Sequence, residues 1–560
     1  MRRKPATIFA GLTLGALALA GCTSTAASTA SGETAVTADA ASDATSGYSV
    51  LNYDDLGLEA VADVDESAAV DMELTDSVTI SKAGTYRLSG AIAAGSVTVD
   101  VAEGQVNLIL DGVSITSDET AAINIVSADA VVISLADGST NTLSDAATAT
   151  ASTDGDAPSA VLFSRADLYI EGSGSLKVSA SVDDGITSKD SLIIEGGSIS
   201  VDAADDGVNG KDHIAVLDGV LTINAGGDGI KSDNDEVLTD STSTKGVAWF
   251  SGGTVAITAG DDGVQAERQL TVDGAAVTVA AEDHGLDSEG ALSVASGSVD
   301  VTESYEALQG AVVVLSGGTG SLVSSDDGVN VAGGYLDEAT TTTTTTSDGG
   351  GGQAPGGDMG GGQPPSDRQG GQMPGDGEGG MGGGMGGDTS VTDPSEITVA
   401  PASGGGMGAM PDESNDGSGR YLSITGGTWT VDAQGDGLDA NGNIAMSGGT
   451  VTVYGPSSNG NAPVDADSYS VTGGTLTALG SSGMLVTPGE GSQGSVVAVF
   501  SGGVAAGSVV KLTDAAGGVV ASVTTERVTQ ALIFSSAEIE SGATYTVTVA
   551  GVEVGTVAAS

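Results

Sequence analysis

Seven times between residues 183 and 438 the chain writes an acidic, glycine-containing turn. The copies are Asp183-Asp184-Gly185-Ile186, Asp205-Asp206-Gly207-Val208, Gly227-Asp228-Gly229-Ile230, Asp261-Asp262-Gly263-Val264, Asp283-His284-Gly285-Leu286, Asp326-Asp327-Gly328-Val329 and Gly435-Asp436-Gly437-Leu438. Gly185, Gly207 and Gly229 are 22 residues apart, as are Gly263 and Gly285. A repeat of this length is the signature of stacked coils, in which equivalent residues sit about 4.8 Å apart. Two carboxylates at that spacing repel by roughly 3.5 kcal/mol at an effective dielectric near 20. Such a column must either take up protons or hold a hard cation. Calcium suits turns that offer only oxygen. Zinc does not, because the chain has only His213 and His284 and one cysteine. The first-choice calcium ligands are Asp183, Asp184, Asp205, Asp206, Asp228, Asp261 and Asp262, followed by Asp233, Asp235, Asp283, Asp287, Asp326, Asp327, Asp436 and Asp439. The competing reading is that Asp-Gly is simply what turns use. The copies are also imperfect: His284 replaces one Asp, and Tyr305-Glu306-Ala307 occupies the next expected turn. Ion sites are therefore expected to cluster.

Other chemistries have weaker support. β-Elimination beside a uronate needs a metal and a basic Lys or Arg. Lys189 and Lys211 each lie four residues after their turn glycines, and Lys231 two after its own, so a lyase would draw on these three. A lysine beside so many acids has its pKa raised, which is wrong for a base. Paired acids of an inverting glycosidase form one singular constellation, whereas here they recur. Two histidines offer no evident hydrolase triad. For stacking on sugar rings, Tyr305 and Tyr454 are the outward candidates. Trp429 aligns with Val255 and is expected to face inward.

Short strands must position these turns. After Gly207 a strand begins at Val208, Ile214 and Val216 alternate in a second, and Leu221 and Ile223 alternate in a third beyond Asp218-Gly219. Phe250, Val255 and Ile257, then Leu270, Val272, Val277 and Val279, repeat the pattern. Alternation with period 2 buries one face of each strand, and stacking merges those faces into one core. The expected fold is all-β: a right-handed parallel β-helix of about 22 residues per coil with a small C-terminal antiparallel β-sandwich. Its first part, with an N-terminal cap, spans 47–334 and its last coils 419–485. Between them lies a Gly-, Met-, Pro- and Gln-rich insertion, 335–418, which cannot pack a core and is expected to be disordered. Residues 486–560 form the expected sandwich. A shorter insertion lengthens one repeat: Gly229 and Gly263 are 34 residues apart.

The formal net charge of −59 excludes nucleic acid as a natural partner. Met1-Arg2-Arg3-Lys4 and the apolar run after it read as a secretory leader over residues 1–21, ending at Leu19-Ala20-Gly21-Cys22. Small residues before the chain's one cysteine predict a bacterial lipoprotein, with lipid on Cys22 and residues 22–46 as a flexible tether. The expected location is extracytoplasmic, anchored to the membrane by that lipid. With no second cysteine, no disulfide can staple the fold.

Several segments carry a resemblance: Ala83-Gly84-Thr85-Tyr86-Arg87-Leu88-Ser89-Gly90, Leu108-Ile109-Leu110-Asp111-Gly112-Val113, Gly226-Gly227-Asp228-Gly229-Ile230-Lys231-Ser232, Gly260-Asp261-Asp262-Gly263-Val264-Gln265-Ala266-Glu267 and Ser541-Gly542-Ala543-Thr544-Tyr545. In order and spacing they resemble a bacterial family of carbohydrate-binding, calcium-binding parallel β-helix proteins with a pectate-lyase-like fold. The resemblance spans roughly 70–550. It implies binding of plant-type or acidic cell-wall polysaccharides, with calcium in the acidic turns. The expected protein is thus a non-catalytic, monomeric surface binder of polysaccharide. A calcium-dependent pectate-type lyase and a structural adhesin are the alternatives.

Overall fold

The computed structural model describes residues 50–58, 61–146, 157–334, 391–401, 419–489 and 491–560. The leader, Cys22, the tether and most of the 335–418 insertion lie outside the described residues.

Alternation along the strands sets which side chains go inside. In Val220–Ala225, the side chains of Leu221, Ile223 and Ala225 are buried while Val220, Thr222 and Asn224 are exposed. Each central strand bonds in parallel to the strands three before and three after it, as Asp167–Gly172 does with Ala130–Leu135 and Ser191–Ile194. Inward residues therefore stack in columns. One column runs Ile186, Val208, Ile230, Val264, Leu286, Leu308, Val329, Leu438 and Val464. A second runs Ile170, Ile194, Val216, Phe250, Val272, Val294 and Leu315, and a third Val178, Val201, Ile223, Ile257, Val279 and Val301. All three belong to one continuous apolar core. Burying each such side chain contributes about 2 kcal/mol.

The expected right-handed parallel β-helix with a separate C-terminal sandwich is corrected by this architecture. The fold is all-β, but its parallel strands close on themselves as a barrel around the interior and carry extra strands. At the C-terminal end the strand Thr475–Gly480 pairs antiparallel with Thr529–Ser535, which in turn pairs with Ser495–Val504. These strands extend the main 35-stranded sheet, and only a small four-stranded sheet stands apart. They join it because Thr475–Gly480 would otherwise leave backbone groups unpaired along one side, and Thr529–Ser535 supplies the partner. Sequence alternation reports which residues face inward but carries no information on how the wall closes. Residues Val399–Pro401 join this end too, pairing antiparallel with Ser495–Val504.

Trp429 is buried in the core, as its alignment predicts. Gly320 and Gly427 make room for it, since a Cβ at either would lie about one bond length inside contact with the indole, at 2.3 Å and 2.5 Å. On one outer wall the segment carrying Leu51, Tyr53, Leu56 and Leu58 packs over Val132, Tyr169, Ile193, Ala215 and Trp249, and Gln269 clamps the Leu51 backbone with both ends of its amide. That wall is covered. The wall bearing the acidic turns is not covered by this segment.

Candidate functional site

The repeat glycines bring the acidic turns into register. Gly185 N donates to Asp206 O at 2.9 Å, Gly207 N to Asp228 O and Gly229 N to Asp262 O at 2.8 Å, and Gly263 N to His284 O at 2.8 Å. A Cβ at Gly207 would meet Gly229 O at 2.6 Å and the Ile223 side chain at 2.4 Å, so close approach of the coils demands glycine there. Ala307 takes this place in the Tyr305 turn, and its bonds are longer, with Leu308 N to Gly328 O at 3.3 Å.

In five of the turns the second acid reaches the backbone of the next coil. Asp206 Oδ1 accepts from Asp228 N at 2.9 Å, Asp228 Oδ1 from Asp262 N at 3.1 Å, and Asp262 Oδ1 from His284 N at 2.9 Å. Asp327 Oδ1 accepts from Asp436 N at 2.6 Å, and Asp436 Oδ1 from Ala462 N. These carboxylates hold the coils together as well as offering oxygens.

Their charge is balanced unevenly. Lys231 Nζ lies 2.6 Å from Asp228 Oδ2 and 3.8 Å from Asp206 Oδ2. Despite partial burial, these partners raise the lysine pKa above its ordinary value. His284 Nδ1 contacts Asp262 Oδ1 at 2.8 Å, with Asp283 and Glu306 at 3.9 Å and 3.7 Å from Nε2. Burial opposes its charge, but the hydrogen bond and field of Asp262 carry its pKa up to about 9. At both ends of the column no cation contacts these carboxylates among the described residues, although the field of Lys189 reaches Asp183. Asp183, Asp184 and Asp205 each bring an oxygen within 4.8 Å of the others. Burial, then the charge of Asp206, pushes Asp184 up to about 7, and its oxygens take bonds from Thr187 and Ser159. At the far end burial and neighbouring acids push Asp327 up to about 7 and Asp439 to about 8. An oxygen-only group with no cation in contact, such as buried Asp184 with half-buried Asp183 and exposed Asp205, fits calcium. Asp261 stands beside Asp262 at the Lys231 and His284 rungs. Asp287 is nearly inaccessible, and burial pushes it up to about 7. Asp233 and Asp235 sit on the exposed inserted loop.

Sequence reasoning missed a polar column beside these turns. Two residues after each turn glycine, an outward side chain stacks on its equivalent: Thr187, Asn209, Lys231, Gln265, Asp287, Gln309, Asn330, Asp439 and Asp465. The signal was present, since every one of these positions is polar, but it emerges only when the coils are superposed. The side chains are half-buried or buried. Gln309 Nε2 donates to Asp287 at 3.1 Å, and Asn330 Nδ2 to Glu306 at 2.8 Å. Asn209 and Asn330 are 5% and 8% exposed, yet their Oδ1 atoms accept no hydrogen bond.

Of the two candidate tyrosines, Tyr305 is exposed and stands in the turn column between Asp283 and Asp326. Tyr454 instead packs against the C-terminal apolar cluster. Lys189 and Lys211 line a separate cavity with Arg165 and Lys245, whereas Lys231 is held in the acidic column.

A family model for carbohydrate-binding domain-containing proteins matches residues 75–350. A carbohydrate-binding domain-containing protein of Acetivibrio thermocellus is 44% identical over 200 residues, 35% of this chain and 68% of that one. A solved structure of a polysaccharide lyase-like protein from C. thermocellum, a gadolinium derivative, is 34% identical and covers 41% of this chain and 96% of its own. Its TM-score of 0.38 is too low to bear on the fold. The chain belongs to the carbohydrate-binding domain-containing protein family.

Proposed function

We propose that this protein is a non-catalytic binder of an extracellular plant-type or acidic polysaccharide, with calcium stiffening its acidic turns and a lipid on Cys22 holding it at the cell surface. The observation that carries the reading is the unbroken polar column from Thr187 to Asp465. Its eight rung spacings extend about 38 Å, the shape of a site for a linear polymer. Its half-buried members, Lys231, Gln265, Gln309, Asp439 and Asp465, offer amide, carboxylate and ammonium groups to hydroxyls. Exposed Tyr305 beside it presents a ring for stacking. Calcium would be held by Asp183, Asp184 and Asp205, where it would neutralise like charges and supply a Lewis-acidic bridge to an anionic sugar.

Lyase chemistry finds less support. Lys231 is tied to two carboxylates that hold its proton, the opposite of what a base requires. Pull-down of the full-length protein on insoluble cellulose and on calcium-pectate gel, with and without chelator, tests the reading. Retention on a glycan, without growth of unsaturated-product absorbance on polygalacturonate, is expected. Failure to be retained by any glycan would sink it in favour of an adhesin, and product absorbance would favour the lyase.

A further inference from the structure

At the other end of the strand that begins with Asp184, the corner of the fold changes sign. Arg165, Lys189, Lys211 and Lys245 line one cavity of about 580 Å³ together with Phe163, Asp190, Asp212 and Asn234. Four of the chain's 16 basic residues thus meet in one place on a protein of net charge −59. Three of them come from successive coils: Lys189 N bonds Ser164 O, the residue before Arg165, and Lys211 N bonds Ser188 O, the residue before Lys189. Two coils on, the same backbone position holds Glu267, bonded to Ser232 O, so the positive stretch is local. The fourth, Lys245, arrives on the inserted loop, together with Asn234.

The bland explanation is that these lysines neutralise the acidic column. Geometry leaves Lys189 only a through-space part in this, since its field opposes the rise of the Asp183 pKa without contact. Lys231 and His284 perform that task, while among the described residues neither Lys189 nor Lys211 has a carboxylate within 4.0 Å. Of the two acids inside the cavity, Asp190 stands against Asp167 and Asp212, and burial with their charges pushes it up to about 6. Asp212 takes Lys245 at 3.0 Å and also accepts from Asn234, and Lys245 reaches Glu236 at 3.3 Å. Two exposed or half-exposed ammonium groups one rung apart therefore remain for an outside anion. Nearby, the Arg165 guanidinium lies 5.5 Å from the centroid of the Phe163 ring. The cavity is of a size that accepts a sugar ring.

We infer that this pocket is a subsite for a carboxylate-bearing sugar residue of the polysaccharide, gripped by Lys189 and Lys211 with Arg165 at its side. The inference rests on the polysaccharide-binding reading and names the acidic class of substrate. A uronate polymer lying across the short strand, about 16 Å from Asp184 to Lys189, would meet oxygen ligands at one corner and ammonium groups at the other.

Calorimetry on the full-length protein in chelator, which removes any calcium bridge, tests it. The probes are an oligogalacturonate, a cello-oligosaccharide of equal length and a sulfated dextran. Wild type should bind the oligogalacturonate at least tenfold tighter than the neutral oligomer, and the margin should shrink as salt rises. The Lys189→Gln/Lys211→Gln protein should lose that margin, and Lys189→Arg/Lys211→Arg should keep most of it. Equal wild-type affinity for acidic and neutral oligomers overturns the subsite while leaving polysaccharide binding intact. So does a margin that survives the glutamine pair, or sulfated dextran binding as tightly as the uronate. Binding of no oligomer at all overturns both.

Discussion

The rungs around Lys231 and His284 share a backbone with the rungs at either end of the acidic column, and they differ in electrostatics. In the middle, an ammonium and an imidazole sit among the carboxylates at 2.6 Å and 2.8 Å. At the ends, Asp184 is pushed up to about 7, and Asp439 to about 8, chiefly by burial beside other acids. One turn geometry thus produces rungs with a basic side chain in contact and rungs without one. The repeat sets where oxygens go, and single substitutions within it decide which of them meet a cation of the chain.

Calcium should produce the largest effect on this contrast. A native-state ligand at a hundredfold over its Kd stabilises by about 2.7 kcal/mol, so excess chelator should lower the Tm measurably. An unchanged transition would mean that the end rungs hold no ion. Next, Lys231→Met should destabilise the chelated protein by on the order of 2 kcal/mol, since it strands Asp206 and Asp228; the lysine is 24% exposed, which keeps the loss below that of a fully buried pair. That variant should also gain a larger calcium response than wild type, because a middle rung has been turned into an end rung. An equal response would break the comparison.

The pH profile gives a gentler slope, at most about 1.4 kcal/mol per pH unit for each proton. Asp184 has its native pKa raised from 3.8 to about 7. The native state therefore holds the extra proton between those values, and stability in chelator should decline as pH rises through that window. His284 is raised from 6.5 to about 9, so its contribution is complete below 6.5 and is lost as pH climbs through 9. Thermal melts from pH 4 to 9 should fall across both windows in chelator, and calcium should flatten only the lower one. A profile that rises from pH 4 to 7 in chelator would contradict the assignment to Asp184. The smallest change is expected from Asp184→Asn in chelator, below about 1 kcal/mol, yet this variant should lose the calcium response of the first coils.

Much of the core and part of the site were legible in the chain. The 22-residue spacing located the inward column from Ile186 to Leu286, and alternation placed Leu221, Ile223 and Trp429 inside. Spacing also stacks Lys189 and Lys211 on one face, beside the carboxylates, whereas they line a cavity with Arg165 and Lys245. Lys245 and Arg165 could not be read in the same way. Lys245 reaches the cavity through an insertion that breaks the period, and Arg165 lies in coils of looser spacing.

By itself the sequence determined which side chains face the interior and that the acids recur, because steric alternation and repeat length are local properties of a strand. Only the tertiary structure decided three other things: that the wall closes as a barrel with its C-terminal strands in the same sheet, that Lys231 and His284 cancel the middle of the column, and that a basic pocket stands across from it. Each depends on distances between residues of different coils. Those distances are set by hydrogen-bond register and by where insertions fold back, which no local pattern encodes.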